Sequence, residues 1–271
     1  MRRNKLLNLI DQNRGRGYFK AESTDTGNVM YVYDVILASD SDADWWGGVS
    51  AESFVKALAA MTGDVDIRIN SPGGDVFGAQ AMYNAVKAYD RGTITAYIDG
   101  FAASAASTLA IAADKTILSG EGAMVMIHKA WTIQIGNADD FRAEADLLDK
   151  IDANLARQYA AKSGKSEADI LAMLDKGDTW LSAQETVDLG LADEIASGKV
   201  SNTSAPKWDL SAYGKGERAP GNSLTLKLDA TEFRQMLDDA LADINNTAAN
   251  DDDADARDRR VRETEMRLRG L

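Results

Sequence analysis

The chain has 271 residues, 45% apolar and 27% charged, with a formal net charge of −13, one histidine and no cysteine. That is enough apolar material for one sizeable soluble core with chain to spare, and its acidity argues against nucleic acid and anionic membrane as partners. The missing cysteines exclude a disulfide framework, a thiolate zinc site and a cysteine nucleophile, and with a single histidine a transition metal finds almost no nitrogen or sulfur ligands, so neither a metal nor a cofactor is expected.

The basic N-terminal segment, residues 1–27, carries a short apolar stretch, Leu6-Leu7-Asn8-Leu9-Ile10. It is too short for a signal-peptide core and runs into Asp11 and Arg14. No stretch approaches the roughly 20 apolar residues that span a bilayer. The expected location is the cytoplasm. Residues 28–196 alternate strand and helix patterns. Met30–Leu37 is a β-rich run. Ser50–Met61 has helical spacing, with Ser50 and Ser53 as candidate caps. Val65–Ile69 alternates apolar and polar, as a strand with one buried face does. A turn at Pro72-Gly73-Gly74 leads into a helix over Asp75–Tyr89, and Thr93–Ile98 is again a strand. The pattern predicts an α/β domain of repeated strand–helix units, mostly parallel.

Residues 138–162 read as the longest helix, with Phe141, Leu148, Ile151 and Leu155 on one face. By itself that is an ordinary amphipathic surface helix. Ser166 and Ser182 open two further helices, the second with a capping box to Glu185, so Asp178 falls in the short connection before it. Residues 197–226 have the composition of a linker. Residues 227–271 form an acidic, then arginine-rich, tail, expected to be largely disordered on its own, with a short amphipathic helix around Phe233–Ile244. Its run Asp251-Asp252-Asp253-Ala254-Asp255 reads as a solvated charge run.

Three stretches carry possible chemistry. In Gly100-Phe101-Ala102-Ala103-Ser104-Ala105-Ala106-Ser107, small residues follow a strand and put Ser104 at a helix N-terminus, where unpaired amides favour negative charge. The plain alternative is a helix cap in a tightly packed turn. Asn70-Ser71-Pro72-Gly73-Gly74-Asp75 can turn amides into a cleft, or simply turn; it is neither a phosphate loop nor a dinucleotide fingerprint. His128 ends the apolar run Met124–Ile127, and a lone histidine is more often structural than catalytic.

Taken together and in order, these stretches resemble the ClpP-type serine peptidases. "INSPGG" (69–74) is similar to that family's turn before the oxyanion helix, "GFAAS" (100–104) to its nucleophile motif and "MIH" (126–128) to its base. "GDTWLSAQETVDLGLAD" (177–193) is similar to the segment of the third triad member. The resemblance covers roughly residues 28–196. It implies a ClpP/crotonase-like fold with residues 138–162 as a projecting handle helix. It also implies a catalytic triad of Ser104, His128 and Asp178, with an oxyanion hole from the amides of Gly74 and Ala105. Protein or peptide substrates, homo-oligomeric rings and an AAA+ ATPase partner come with the same resemblance. Ala105 stands where housekeeping members carry Met, and Lys129-Ala130 where they carry Gln-Pro. These departures and the acidic tail resemble the phage and prophage branch associated with head maturation, whose substrates would be capsid or scaffold proteins. The alternatives are a housekeeping Clp proteolytic subunit, a capsid-assembly protein with a vestigial protease domain, and a crotonase-type acyl-CoA enzyme. The Ser-His-Asp order argues against the last. A signal-peptide peptidase relative would need a Ser-Lys pair and a membrane anchor.

Overall fold

The computed structural model describes residues 13–24, 27–132 and 134–197, together with Leu210 and Tyr213. The tail expected beyond residue 226, with its helix and its Asp run, lies outside the described residues.

The chain opens with a hairpin, β1 (Tyr18–Thr24) against β2 (Gly27–Tyr33), paired antiparallel from Tyr18↔Tyr33 to Thr24↔Gly27. The segment assigned from sequence to a separate N-terminus thus contributes an edge strand. The β-rich run Met30–Leu37 breaks in two. Asp34 accepts the Val35 N–H on its own carboxylate, and its carbonyl takes the Ser71 hydroxyl, so its backbone leaves the ladder. The short β3 (Ile36–Leu37) then pairs with β4 (Val49–Ser50), across a helix α1 (Asp40–Trp46) that the sequence pattern did not signal.

Helix α2 (Ala51–Ala60) is capped by Ser50, whose hydroxyl accepts the Ser53 N–H, while the Ser53 hydroxyl binds Asp40. After it come β5 (Val65–Ser71), α3 (Val76–Lys87) capped by Asp75, β6 (Ile94–Ala103), α4 (Ala105–Ala112), β7 (Lys115–Leu118) and β8 (Met124–Ile127). The long helix α5 (Ala138–Ser163) is followed by α6 (Glu167–Leu174), β9 (Thr179–Leu181), α7 (Ala183–Leu189) and β10 (Glu194–Ile195).

The main sheet runs β1-β2-β5-β6-β7-β10, parallel except for the first pair. Its inner face, including Val65, Ile67, Ile69, Ala96 and Ile98, packs with Phe54, Met82 and Leu109 from the helices into one core. On the opposite face Asp99 is buried within a polar cluster, ion-paired to Arg68 and accepting from the Tyr33 and Ser119 hydroxyls.

Strand β6 is forked. Its first half, Thr95–Ile98, pairs with β7, and its last three residues, Phe101–Ala103, pair with β8. Strand β8 in turn carries β9 antiparallel. Helix α5 buries residues only over Asp152–Ala160; its first half buries none and leaves Phe141 and Leu147 exposed. At 1.5 Å per residue that half stands off the domain by about 20 Å. No helix of the described residues is long and apolar enough to cross a membrane.

Candidate active site

The strand registers bring the three separated residues together. Ala103 of β6 pairs with Met126 of β8, and the Ser104 N–H continues the ladder onto the Met126 carbonyl at 2.8 Å. Ile127 of β8 pairs with Thr179 of β9, so the next residue on one strand, His128, faces the preceding residue on the other, Asp178. The ends of β6 and β8 and the start of β9 therefore meet at one point, outside the carboxyl edge of the parallel strands where α/β sheets hold their ligands.

The side-chain geometry follows. Ser104 Oγ is 2.6 Å from His128 Nε2, and His128 Nδ1 is 3.0 Å from Asp178 Oδ1. His128 and Asp178 are each 7% exposed at the side chain. An Nδ1–H donated to Asp178 leaves Nε2 with its lone pair toward the serine. Ser104 has φ 53° and ψ −127°, the one positive φ outside glycine among the described residues. A left-handed serine at a strand-to-helix corner is strained by about 1–3 kcal/mol. The corner lifts Oγ clear of the helix, and Ser104 makes no side-chain cap bond to α4. Its hydroxyl therefore serves His128, not the helix. Ser107, the other serine of the octapeptide, is fully buried, with its hydroxyl bonded to the Ser104 carbonyl and the Tyr159 hydroxyl, each at 2.6 Å. Burial pushes the Tyr159 phenol up to about 12, so it stays neutral beside Ser107.

The 70–74 turn closes the other side. Gly73 and Gly74 have φ of 89° and 150°. A Cβ on Gly73 would lie 2.8 Å from Ser104 Cβ and 2.9 Å from the Ala105 nitrogen, and one on Gly74 would lie 2.0 Å from the Ile36 carbonyl oxygen. Only glycine brings backbone this close at both positions. Ile36 donates to the Gly73 carbonyl and accepts the Asp75 N–H, which leaves the Gly74 amide out of that pairing. Ala105 opens α4, where amides have no carbonyl one turn back.

Other residues hold the site without having been expected from the sequence. Asp152 of α5, buried, accepts the Ala130 N–H at 2.8 Å and fixes the loop after His128; burial raises its carboxyl above the ordinary range. Lys129 pairs with Asp175 at 2.6 Å on the outer side of the same loop. Tyr213, within the segment read as a linker, is buried beside His128 at a ring separation of 5.8 Å. No local pattern marks any of these three, because each contact joins distant parts of the chain.

Residues 27–199 match the Clp protease family. An ATP-dependent Clp protease proteolytic subunit of Bacteroides fragilis is 33% identical over 133 residues, which is 49% of this chain and 63% of that protein, under two thirds of its length. Proteolytic subunit 2 of Corynebacterium glutamicum is 29% identical over 172 residues, 62% of this chain and 85% of the relative. A variant of ClpP1 from Listeria monocytogenes superimposes with a TM-score of 0.51 at 24% identity, covering 63% of this chain and 92% of that one, a likeness of fold. With the family match spanning more than half of its residues and its strand–helix frame shared with a ClpP structure, the chain belongs to the Clp protease family.

Proposed function

We propose that the protein is a serine endopeptidase with Ser104 as nucleophile, His128 as general base and then acid, and Asp178 as the group that orients the imidazole. The observation that carries this reading is the continuous chain of contacts Ser104 Oγ–His128 Nε2–His128 Nδ1–Asp178 Oδ1, at 2.6 and 3.0 Å. Ser104 Oγ attacks the scissile carbonyl while its proton passes to Nε2. The imidazolium, stabilised by Asp178, returns that proton to the leaving amine, and water repeats the sequence on the acyl-enzyme. The amides of Gly74 and Ala105 receive the oxyanion, each contributing about 2.7–4 kcal/mol to the transition state, as single donors of this kind do. The close approach of Gly73 to Ser104 and the Ala105 nitrogen, and the helix start at Ala105, support that role.

The exposed first half of α5, with Phe141 and Leu147 at its surface, supports assembly into rings through that helix, in line with the handle of the family. For substrate, the reading we favour is a phage or prophage capsid or scaffold protein, cut during head maturation in the host cytoplasm. Ala105, Lys129-Ala130 and the acidic tail support it. The names of the curated relatives favour a second reading, a proteolytic subunit fed by an AAA+ ATPase. The central test is fluorophosphonate labelling with peptide mapping. Label on Ser104, abolished along with peptide hydrolysis in Ser104→Ala while circular dichroism stays unchanged, is the expected result. Label on Ser107, or survival of labelling in the variant, would sink the assignment. Stimulation of protein degradation by ATP and an added AAA+ unfoldase would favour the second reading for substrate supply.

A further inference from the structure

The apolar side chains around the candidate site form a small cluster of their own, apart from the main core: Val35, Leu37, Ala103, Met126 and Trp180. Its remaining buried member is Tyr213, 5% exposed. The Tyr213 ring stands edge-on to Trp180 at 6.4 Å and 78°, and edge-on to His128 at 5.8 Å and 77°. Its hydroxyl donates to the Pro72 carbonyl, in the turn that leads to Gly74. Ser104 is also near enough to influence this phenol. The Tyr213 N–H closes back on the Leu210 carbonyl at 3.0 Å, and Leu210 packs against the same cluster.

On the reading of Ser104 as nucleophile, we infer that Tyr213 is a tethered occupant of the peptide-binding cleft, its ring filling an aromatic-accepting pocket so that the chain's own C-terminal segment competes with substrate. Three observations carry this. The phenol tip is bonded to the turn carbonyl of Pro72 and its ring stands against His128, so it occupies space beside the proposed nucleophile and base. The group cannot serve as a base, because burial and the nearby Asp178 carboxylate hold the phenol protonated, above the ordinary tyrosine range. Trp180, whose ring meets Tyr213, has its Nε1 buried without a hydrogen-bond partner, so a donor that could answer a peptide carbonyl stands unused in the residue beside it. The tether makes the competition intramolecular, so a contact of one ring suffices to hold the cleft against dilute peptide.

The test uses the full chain, as wild type, Tyr213→Ala and Tyr213→Phe. Two rates are read: fluorophosphonate labelling of Ser104, and hydrolysis of a small fluorogenic peptide resolved into kcat and KM. Removing a competitor lowers KM and leaves kcat alone. Tyr213→Ala is expected to label about tenfold faster, or more, with KM reduced by the same factor, the scale set by one buried aromatic ring. Tyr213→Phe keeps the ring and should show a smaller gain. Unchanged labelling and KM in both variants, or a fall in kcat, would overturn the inference, the latter because it makes Tyr213 part of the apparatus it is said to block. A separate readout does not depend on catalysis. The single imidazole gives unambiguous NMR signals, and loss of the Tyr213 ring current in Tyr213→Ala should shift them while Tyr213→Phe shifts them less. If Ser104 labels in no variant yet the imidazole signals move, the peptidase reading fails and the placement of Tyr213 stands. If they do not move, the placement fails too.

Discussion

Replacing Gly73 with alanine puts a methyl group into the one gap between the 70–74 turn and the Ser104 corner. Two costs can be separated. The first is torsional: at φ 89° a Cβ costs about 1–2 kcal/mol. The second is steric. The new Cβ would lie 2.5 Å from the Ala103 carbonyl oxygen, 2.8 Å from Ser104 Cβ and 2.9 Å from the Ala105 nitrogen. The first distance is about 0.8 Å short of an ordinary carbon–oxygen contact of roughly 3.3 Å. Two of the three neighbours are backbone atoms and the third is a Cβ, so relief requires moving the β6–α4 corner itself, at a cost of about 1–3 kcal/mol. Gly63 is the internal control, because its φ is 82° and a Cβ there meets nothing within 4 Å. Gly63→Ala should therefore lose about 1–2 kcal/mol and keep full activity, and Gly73→Ala about 2–5 kcal/mol. Displacing Ser104, the proposed nucleophile, by even a fraction of this misfit should lower kcat/KM about 100-fold. Urea unfolding at constant m gives the stability difference, and peptide hydrolysis gives the rate. If Gly73→Ala unfolds at the same urea concentration as Gly63→Ala and keeps more than half of wild-type kcat/KM, the close approach described for this turn is wrong.

Further outcomes are expected. Asp178→Asn should leave the fold intact and lower kcat about 10⁴-fold, since an amide facing Nδ1 favours the wrong tautomer; a loss below tenfold would show that Asp178 does not orient His128. Burial holds the Asp34 carboxyl up to about 6. Its protonated form is thus favoured in the fold, and stability present below about pH 4 is lost as pH rises to about 6, by about 3 kcal/mol in all. Asp34→Asn should abolish that decline and be the more stable protein at pH 8 but not at pH 4; parallel stability–pH curves for variant and wild type would refute this. Phe141→Asp with Leu147→Asp should dissociate assemblies without unfolding the monomer, because both side chains are exposed on the free half of α5. Native mass spectrometry reads this directly, and unchanged mass would place the contact elsewhere.

The parts legible in the sequence are those with a local cause. Helix α2 is announced by Ser50 and its spacing, α7 by Ser182 and Glu185, and β5 by its alternation. The three residues that meet at the site were singled out by short motifs whose order was informative. What escaped depends on distant partners. Strand β1 pairs through a polar sequence with no strong alternation, and α1 buries no residue at all. The Asp152 clamp spans 22 positions and the Tyr213 contact 141, and no periodicity carries over such distances. Gly-rich, polar composition around Tyr213 reads as linker because nothing nearby reveals the pocket that receives its ring.

The fork in β6 also gives the site a place in time. Among the described residues, strand β9 is held in the sheet by β8 alone, and β8 joins the rest through three residue pairs at the tip of β6. Between them the chain must first lay down α5 and α6. Contacts that close such long loops form late, and those attached by so few pairs open first. A nascent or partly opened molecule can therefore hold the sheet from β1 to β7 and still have His128 without Asp178. Hydrogen exchange should find the β8–β9 amides releasing ahead of those in β5. On the proposed peptidase reading, the chain would then be harmless until its own folding is finished, and would be disarmed by the mildest of its unfolding events.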